Sequence, residues 1–206
     1  ATDWKRLEDA MRAADVPQGE FGALVRRYRC LSCHTLGGAG HVTATGLPLS
    51  TVRLDRIGSQ LTREHLERYI AKPYGVRVAL PERMPHLNLA PEEARTLAAH
   101  LSTVMVDDTL ESAVPTDEAT VARGRELFDR HGCVACHIVG YECGYFGPHR
   151  DLRRARHTSA SPLASVLVPE RWKPGTLEPD RGLTRPEAEA LAAYVLSLPA
   201  RKAKGR

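Results

Sequence analysis

The sequence predicts an all-α fold built as two tandem helical units, and three observations predict it. Apolar residues recur at helical spacing along the chain, as at Trp4, Leu7 and Met11 or at Leu66, Tyr69 and Ile70. The stretch Cys30-Leu-Ser-Cys33-His34 returns as Cys133-Val-Ala-Cys136-His137. The later parts of the two halves align without gaps at an offset of 94, with Met84-Pro85 on Glu178-Pro179, Leu89 on Leu183, Glu93-Ala94 on Glu187-Ala188 and Leu97-Ala-Ala on Leu191-Ala-Ala. A chain of 206 residues suits two units of about 100 each.

The elements follow in order. Residues 4–14 read as a first helix, broken by Asp15-Val-Pro17-Gln-Gly19. A second helix, about 20–29, runs into the first cysteine motif. Gly37-Gly38-Ala39-Gly40 and then Gly46-Leu-Pro48 are loops. Leu61–Lys72 is helical and ends at Pro73, a turn-rich loop follows at Pro81-Glu-Arg-Met84-Pro85, and Pro91 opens a helix over 91–103. The polar, acidic segment 106–116 reads as a linker, which divides the chain into domains at 1–105 and 117–206. Thr116 is the expected cap of a helix over 117–131, with Asp117 and Glu118 in its first turn. A helix over 160–168 is expected to stop at Pro169. Thr184 and Glu187 form a capping box for the last helix, 185–198, before a basic tail.

Two cysteines, a two-residue spacer and an adjacent histidine form the attachment pattern of a c-type haem. Each thiol can add to one haem vinyl group, and the histidine can bind iron through an imidazole nitrogen. A single copy would also fit chance, a zinc half-site or a thiol redox pair. Two copies in matching context point to two covalent haems, on Cys30, Cys33 and His34 and on Cys133, Cys136 and His137. A haem gives a small domain a large apolar body to pack against, which suits an aromatic content of only 5%. Covalent haem attachment takes place outside the cytoplasmic membrane, so the expected location is the periplasm or the outer face of that membrane. No apolar run reaches the ~18 residues of a membrane span. The polar start, Ala1-Thr2-Asp3-Trp4, reads as a processed or trimmed N-terminus. The formal charge of +4 is roughly cancelled by haem propionates and gives no reason to expect nucleic acid. The fifth cysteine, Cys143, reads as a packed or free thiol.

On these residues the chain resembles the class I c-type cytochromes, in the form of a tandem dihaem cytochrome, from about residue 20 to 198. The resemblance implies that the carbonyl of Pro148, in Gly147-Pro148, and that of Pro48 accept the proximal imidazole N–H. It implies that Gly124 and Phe128 meet Tyr194 where the first and last helices of the second unit cross, with His100 in the place of Tyr194 in the first. It also implies that Met84, in Arg-Met-Pro, is the second axial ligand of haem 1, which makes that haem relatively oxidising.

The second half departs from this pattern. Its loop Pro174-Gly-Thr-Leu-Glu178-Pro179 carries glutamate in the methionine slot, and no methionine follows His137. Three readings compete: Glu178 binds ferric iron; Lys173, His149 or His157 binds it; or the position holds water or nothing. Each leaves haem 2 without a thioether and at lower potential. Arg150, Arg153, Arg154 and Arg156 read as a solvated face or as propionate contacts, with docking of an acidic partner as the further option.

The leading functional expectation is an electron carrier that relays single electrons between a redox donor and acceptor, such as a membrane respiratory complex or a periplasmic dehydrogenase. The alternatives are an enzyme or enzyme subunit with an exchangeable haem 2 site, reducing peroxide or oxidising a small sulfur or nitrogen compound, and a gas sensor. In the enzyme reading Glu178 could move protons.

Overall fold

A computed structural model describes residues 16–37, 39–40, 52–75, 84–110, 113–139, 147, 156–173 and 176–199. The expected helix 4–14, the loop around Pro48, Cys143, Pro148, His149, Arg150, Arg153, Arg154 and the basic tail lie outside these residues. The described chain is helical, as expected, apart from one small hairpin. Helix α1 spans Gly19–Arg27 and is followed by a 3-10 turn over Cys30–Ser32. Strands β1 (Thr35–Leu36) and β2 (Ala39–Gly40) pair antiparallel. Helices α2 (Ile57–Gln60), α3 (Arg63–Ala71) and α4 (Pro91–Thr103) complete the first half. The second half has α5 (Glu118–Arg130), a 3-10 turn over Cys133–Ala135, then α6 (Ala160–Leu167), α7 (Pro169–Trp172) and α8 (Arg185–Ser197).

Local chemistry explains the helix ends, with one correction to the sequence reading. The cap of α5 is Asp117 rather than Thr116: its carboxylate accepts from the Thr120 N–H at 2.9 Å. Asp117 is the residue with extended backbone at the helix start, so its side chain, not its neighbour's, reaches the free amides. Helix α6 stops at Leu167, before Pro169, as expected. Pro169 then opens the short α7, because a first-turn proline lacks an N–H that would have had no intrahelical partner. The capping box of α8 forms as expected, with Glu187 accepting from the Thr184 N–H at 3.0 Å. The same slot in the first half holds Ala90 and Glu93. Only the glutamate part can form there, with Glu93 accepting from the Ala90 N–H at 2.9 Å.

Each half has its own apolar packing. Phe21, Leu24, Val25, Leu31, Leu66, Ile70, Leu97 and Leu101 cluster in the first. Leu127, Phe128, Leu191 and Val195 cluster in the second. Helix α8 is buried on several sides, through Ala188, Ala190, Leu191, Ala192, Ala193 and Val195, because it packs against both α5 and α6. Its alanines let the neighbouring backbones come close. Gly124 of α5 meets the Ala190 carbonyl and Tyr194 with no room for a Cβ. Phe128 lies edge-on to Tyr194 at 5.3 Å between ring centroids. In the first half Phe21 of α1 stacks on His100 of α4, with centroids 3.9 Å apart and planes 11° from parallel. Counted back from the first cysteine, Phe21 and Gly124 occupy the same position. A small residue facing tyrosine in one half is thus replaced by a large ring facing histidine in the other.

The halves meet along a short backbone seam. Leu61 and His157 form an antiparallel bridge. The Thr62 N–H donates to the Arg156 carbonyl at 2.9 Å, and the Thr158 N–H to the Gln60 carbonyl at 3.1 Å. Arg156 is buried at this seam, which corrects its reading as part of a solvated basic face. The expected linker starts with no helix or strand over 106–108, yet it is tied to the first half. The Asp107 N–H donates to Ser59 Oγ at 2.7 Å, and the Asp107 carboxylate pairs with Arg56 at 3.6 Å.

Two stability effects follow. Gly124→Ala should force apart the α5–α8 contact and cost about 1–3 kcal/mol in denaturant unfolding, since overpacking a tight contact costs that much. His65 on α3 is buried, and burial, aided by Arg156 and Arg68, pushes its imidazole down to about 4 from 6.5. The unfolded chain therefore takes up this proton first as pH falls. Stability from a neutral His65 is complete above about pH 6.5 and declines until about pH 4, by on the order of 2–3 kcal/mol. His65→Gln should flatten that part of a stability–pH profile relative to the unmodified chain.

Candidate functional site

The two cysteine motifs adopt one and the same turn. In each half the helix stops, and the residue before the first cysteine takes left-handed backbone: Arg29 at φ 53° and Gly132 at φ 62°. A tight turn follows. The Ser32 N–H donates to the Arg29 carbonyl and the His34 N–H to the Cys30 carbonyl, both at 2.9 Å. Ala135 to Gly132 and His137 to Cys133 repeat the pair, again at 2.9 Å. The turn reverses the chain at the end of the helix and brings two thiols and an imidazole together within five residues. Glycine takes left-handed backbone at no steric cost, whereas arginine loses roughly 1–2 kcal/mol there. Cys30 and Cys133 are half-buried, and Cys33 and Cys136 are exposed. Each pair therefore presents one thiol inward and one at the rim.

These four thiols form no disulfide. Burial pushes the Cys30 thiol up to about 11. A redox dithiol is favoured by the opposite shift, toward thiolate at neutral pH. Among the described residues no group of three or more His, Cys, Asp or Glu side chains is placed to hold a metal ion.

The first histidine is positioned by the hairpin. The Leu54 N–H donates to the Thr35 carbonyl at 2.8 Å and Gly37 N–H to Asp55 Oδ1 at 2.6 Å, which lays segment 52–55 beside the chain after His34. The His34 Nδ1–H then donates to the Val52 carbonyl at 2.9 Å. The expected acceptor, Pro48, lies outside the described residues. Val52 had no signal in the sequence, because its role comes from the fold of a loop across the motif. Burial pushes the His34 imidazole down, partly offset by the Val52 bond. This keeps the ring neutral and leaves an Nε2 lone pair for a metal. Met84 is half-buried, seven residues before α4.

In the second half the Gly147 backbone lies against the Nδ1 and Cε1 edge of His137, so close that a Cβ would collide with it, and its N–H donates to the Cys136 carbonyl at 2.7 Å. The opposite nitrogen, Nε2, lies 3.1 Å from Glu178 Oε2. His137 is buried and Glu178 largely so, with side-chain exposures of 7% and 22%. The structure thus brings Glu178 to the one histidine nitrogen a metal would use, and Glu178 is not a solvated loop carboxylate. The cleft beside it is lined by Phe128, Cys133, Val166, Leu183, Leu191 and Val195. An apolar wall, an inward thiol and a histidine backed by glycine fit a covalently held haem. Of the other candidate ligands, His157 is engaged at the seam, where its Nδ1 lies 3.1 Å from the Gln60 carbonyl. Lys173 is half-buried after α7, and His149 lies outside the described residues.

Residues 121–199 match the family model for cytochrome c. The match begins within α5 and runs through the end of α8, so it takes in the second cysteine motif, His137 and Glu178. The match supports a class I cytochrome c domain in this half, which implies a covalently bound c-type haem and suggests haem-based electron transfer. Neither the curated proteins nor the solved structures give a match. Among the described residues no helix is long and apolar enough to cross a membrane.

Proposed function

We propose that the chain is a dihaem c-type cytochrome that relays single electrons between protein partners outside the cytoplasmic membrane. Two cytochrome c domains, 1–105 and 117–206, are joined through 106–116. The observation that carries this reading is the repeated turn. The left-handed residue, the backbone bonds and the half-buried first thiol recur at Cys30–His34, where the family match does not reach. Cys30, Cys33 and His34 would hold haem 1, with Met84 as second ligand. Cys133, Cys136 and His137 would hold haem 2, with Glu178 facing it. When bound, a haem supplies an iron that cycles between ferrous and ferric states. The chain's own part is to fix the imidazoles, exclude water and set the charge near each iron. A thioether at Met84 favours the ferrous state, and a carboxylate at Glu178 favours the ferric state, so haem 2 is the lower-potential centre. Redox proteins such as a membrane respiratory complex or a periplasmic dehydrogenase are the partner class.

One observation favours a second reading. A carboxylate, rather than a thioether, meets His137 Nε2. If haem 2 exchanges its sixth ligand, the chain would be an enzyme subunit acting on peroxide or on a small sulfur or nitrogen compound.

Intact mass under denaturing conditions should exceed the polypeptide mass by two haems. A single-haem mass would reduce the reading to one cytochrome domain. Met84→Ala should abolish one near-infrared His/Met band and lower the higher of two midpoints. Glu178→Gln should change the haem 2 spectrum alone and raise its midpoint. Two equal, high midpoints in the unmodified protein would overturn the asymmetry. Cyanide binding rapidly to one haem per chain would favour the exchangeable site.

A further inference from the structure

The seam between the halves joins like to like. Leu61 stands two residues before α3, and His157 three residues before α6. These are corresponding places in the two halves, and they pair antiparallel, as a local twofold arrangement requires. Two amide-to-carbonyl bonds flank the bridge, and Thr158 Oγ1 adds a further bond to the Ser59 carbonyl.

His157 has a chemically determined role here. Its Nδ1 lies 3.1 Å from the Gln60 carbonyl and 3.1 Å from Ser161 Oγ, and its Nε2 lies 3.3 Å from Arg156 Nη2. A carbonyl can only accept, so Nδ1 carries the proton. A guanidinium can only donate, so Nε2 offers its lone pair. One tautomer of the neutral ring satisfies both sides. The ring thereby connects the end of α2 in the first half to the start of α6 in the second. Helix α6 contributes Val166 to the haem 2 cleft, and α3, which starts just past the seam, contributes Leu66 and Ile70 to the core of the first half.

We propose that His157 is a positioning residue. It locks the segment before α6 to the segment before α3, and so fixes the separation and orientation of the two haems for electron transfer between them. This rests on the two-haem reading above. Transfer between fixed centres depends on their separation and orientation, because electronic overlap falls steeply with distance.

The test uses the holoprotein. One haem is reduced by a brief pulse of reductant, and the electron's passage to the other is followed optically. His157→Ala should slow that passage severalfold. Both midpoints and both haem spectra should stay unchanged. His157→Asn should restore much of the rate, since its amide can donate to Gln60 and accept from Arg156. Hydrogen exchange at the Thr62 and Thr158 amides should quicken in the alanine variant and recover with asparagine. Thr158→Val, which removes only the bond to Ser59, gives a milder form of the same loss should the alanine variant fail to fold. An unchanged rate and unchanged exchange in both variants would overturn the proposal, as would a rate loss accompanied by a shifted midpoint. If the chain carried one haem, the two-haem reading would fall, and with it the electron-transfer role. Amide exchange would still show whether His157 holds the seam.

Discussion

The left-handed residue ahead of each first cysteine is the constraint on which the rest of the structure depends. A helix that continued through Cys30 or Cys133 would spread the two thiols and the histidine along its own axis. Reversal at Arg29 and Gly132 instead turns the chain at once, and the bond from the histidine N–H to the first cysteine carbonyl closes the turn. Everything downstream then has a fixed place to meet. The Val52 carbonyl reaches His34 because the hairpin starts directly after the turn, and Gly147 reaches His137 because the loop returns to the Cys136 carbonyl. Arg29 tolerates a conformation that suits glycine, at a cost of roughly 1–2 kcal/mol. That it is held there points to the geometry of the turn as the thing preserved.

The helix crossings show how one plan accepts different contents. In the second half the contact depends on smallness: Gly124 lets α5 lie against the Ala190 backbone, and Phe128 meets Tyr194 edge-on. In the first half the large ring has moved to the glycine's position, and a flat imidazole lies parallel to it. The phenylalanine stays on the first helix of each half, at a different position along it, and the last helix supplies an imidazole in place of the tyrosine ring. A ring at the glycine's position loosens the backbone contact between α1 and α4. This fits the restriction of the family match to the second half, where the glycine and both aromatic rings remain.

What the sequence made legible was what lies close together along the chain. The cysteine motifs, the expected helices that fall on described residues and the Thr184–Glu187 box depend on residues within a few positions of each other, and each of these formed where expected. The cap of α5 slipped by one residue because Thr116 and Asp117 are both good caps, and only backbone geometry decides between them. Pro169 ends one helix as expected, and it also starts another, which the sequence reading did not include. Val52, the seam and the burial of His65 and Arg156 had no signal at all. Each depends on segments far apart in sequence coming together: 34 with 52, 61 with 157, and α3 with the second half. Glu178 stands between these cases. Its importance was legible from the repeat offset, while its contact with His137 required the fold.

That contact constrains what the second site can do. A carboxylate with 22% exposure needs a partner that compensates for lost water, and in this structure the partner is the N–H at His137 Nε2. The same nitrogen is the one a metal would take. Gly147 closes the other edge of the ring. A thioether in that slot would make no such demand, since it is apolar and indifferent to the charge beside it. Glutamate in the slot therefore ties the electrostatics of the loop to His137. A carboxylate in this slot makes the loop of the second half more polar than the corresponding position of the first, on a backbone plan the two halves otherwise share.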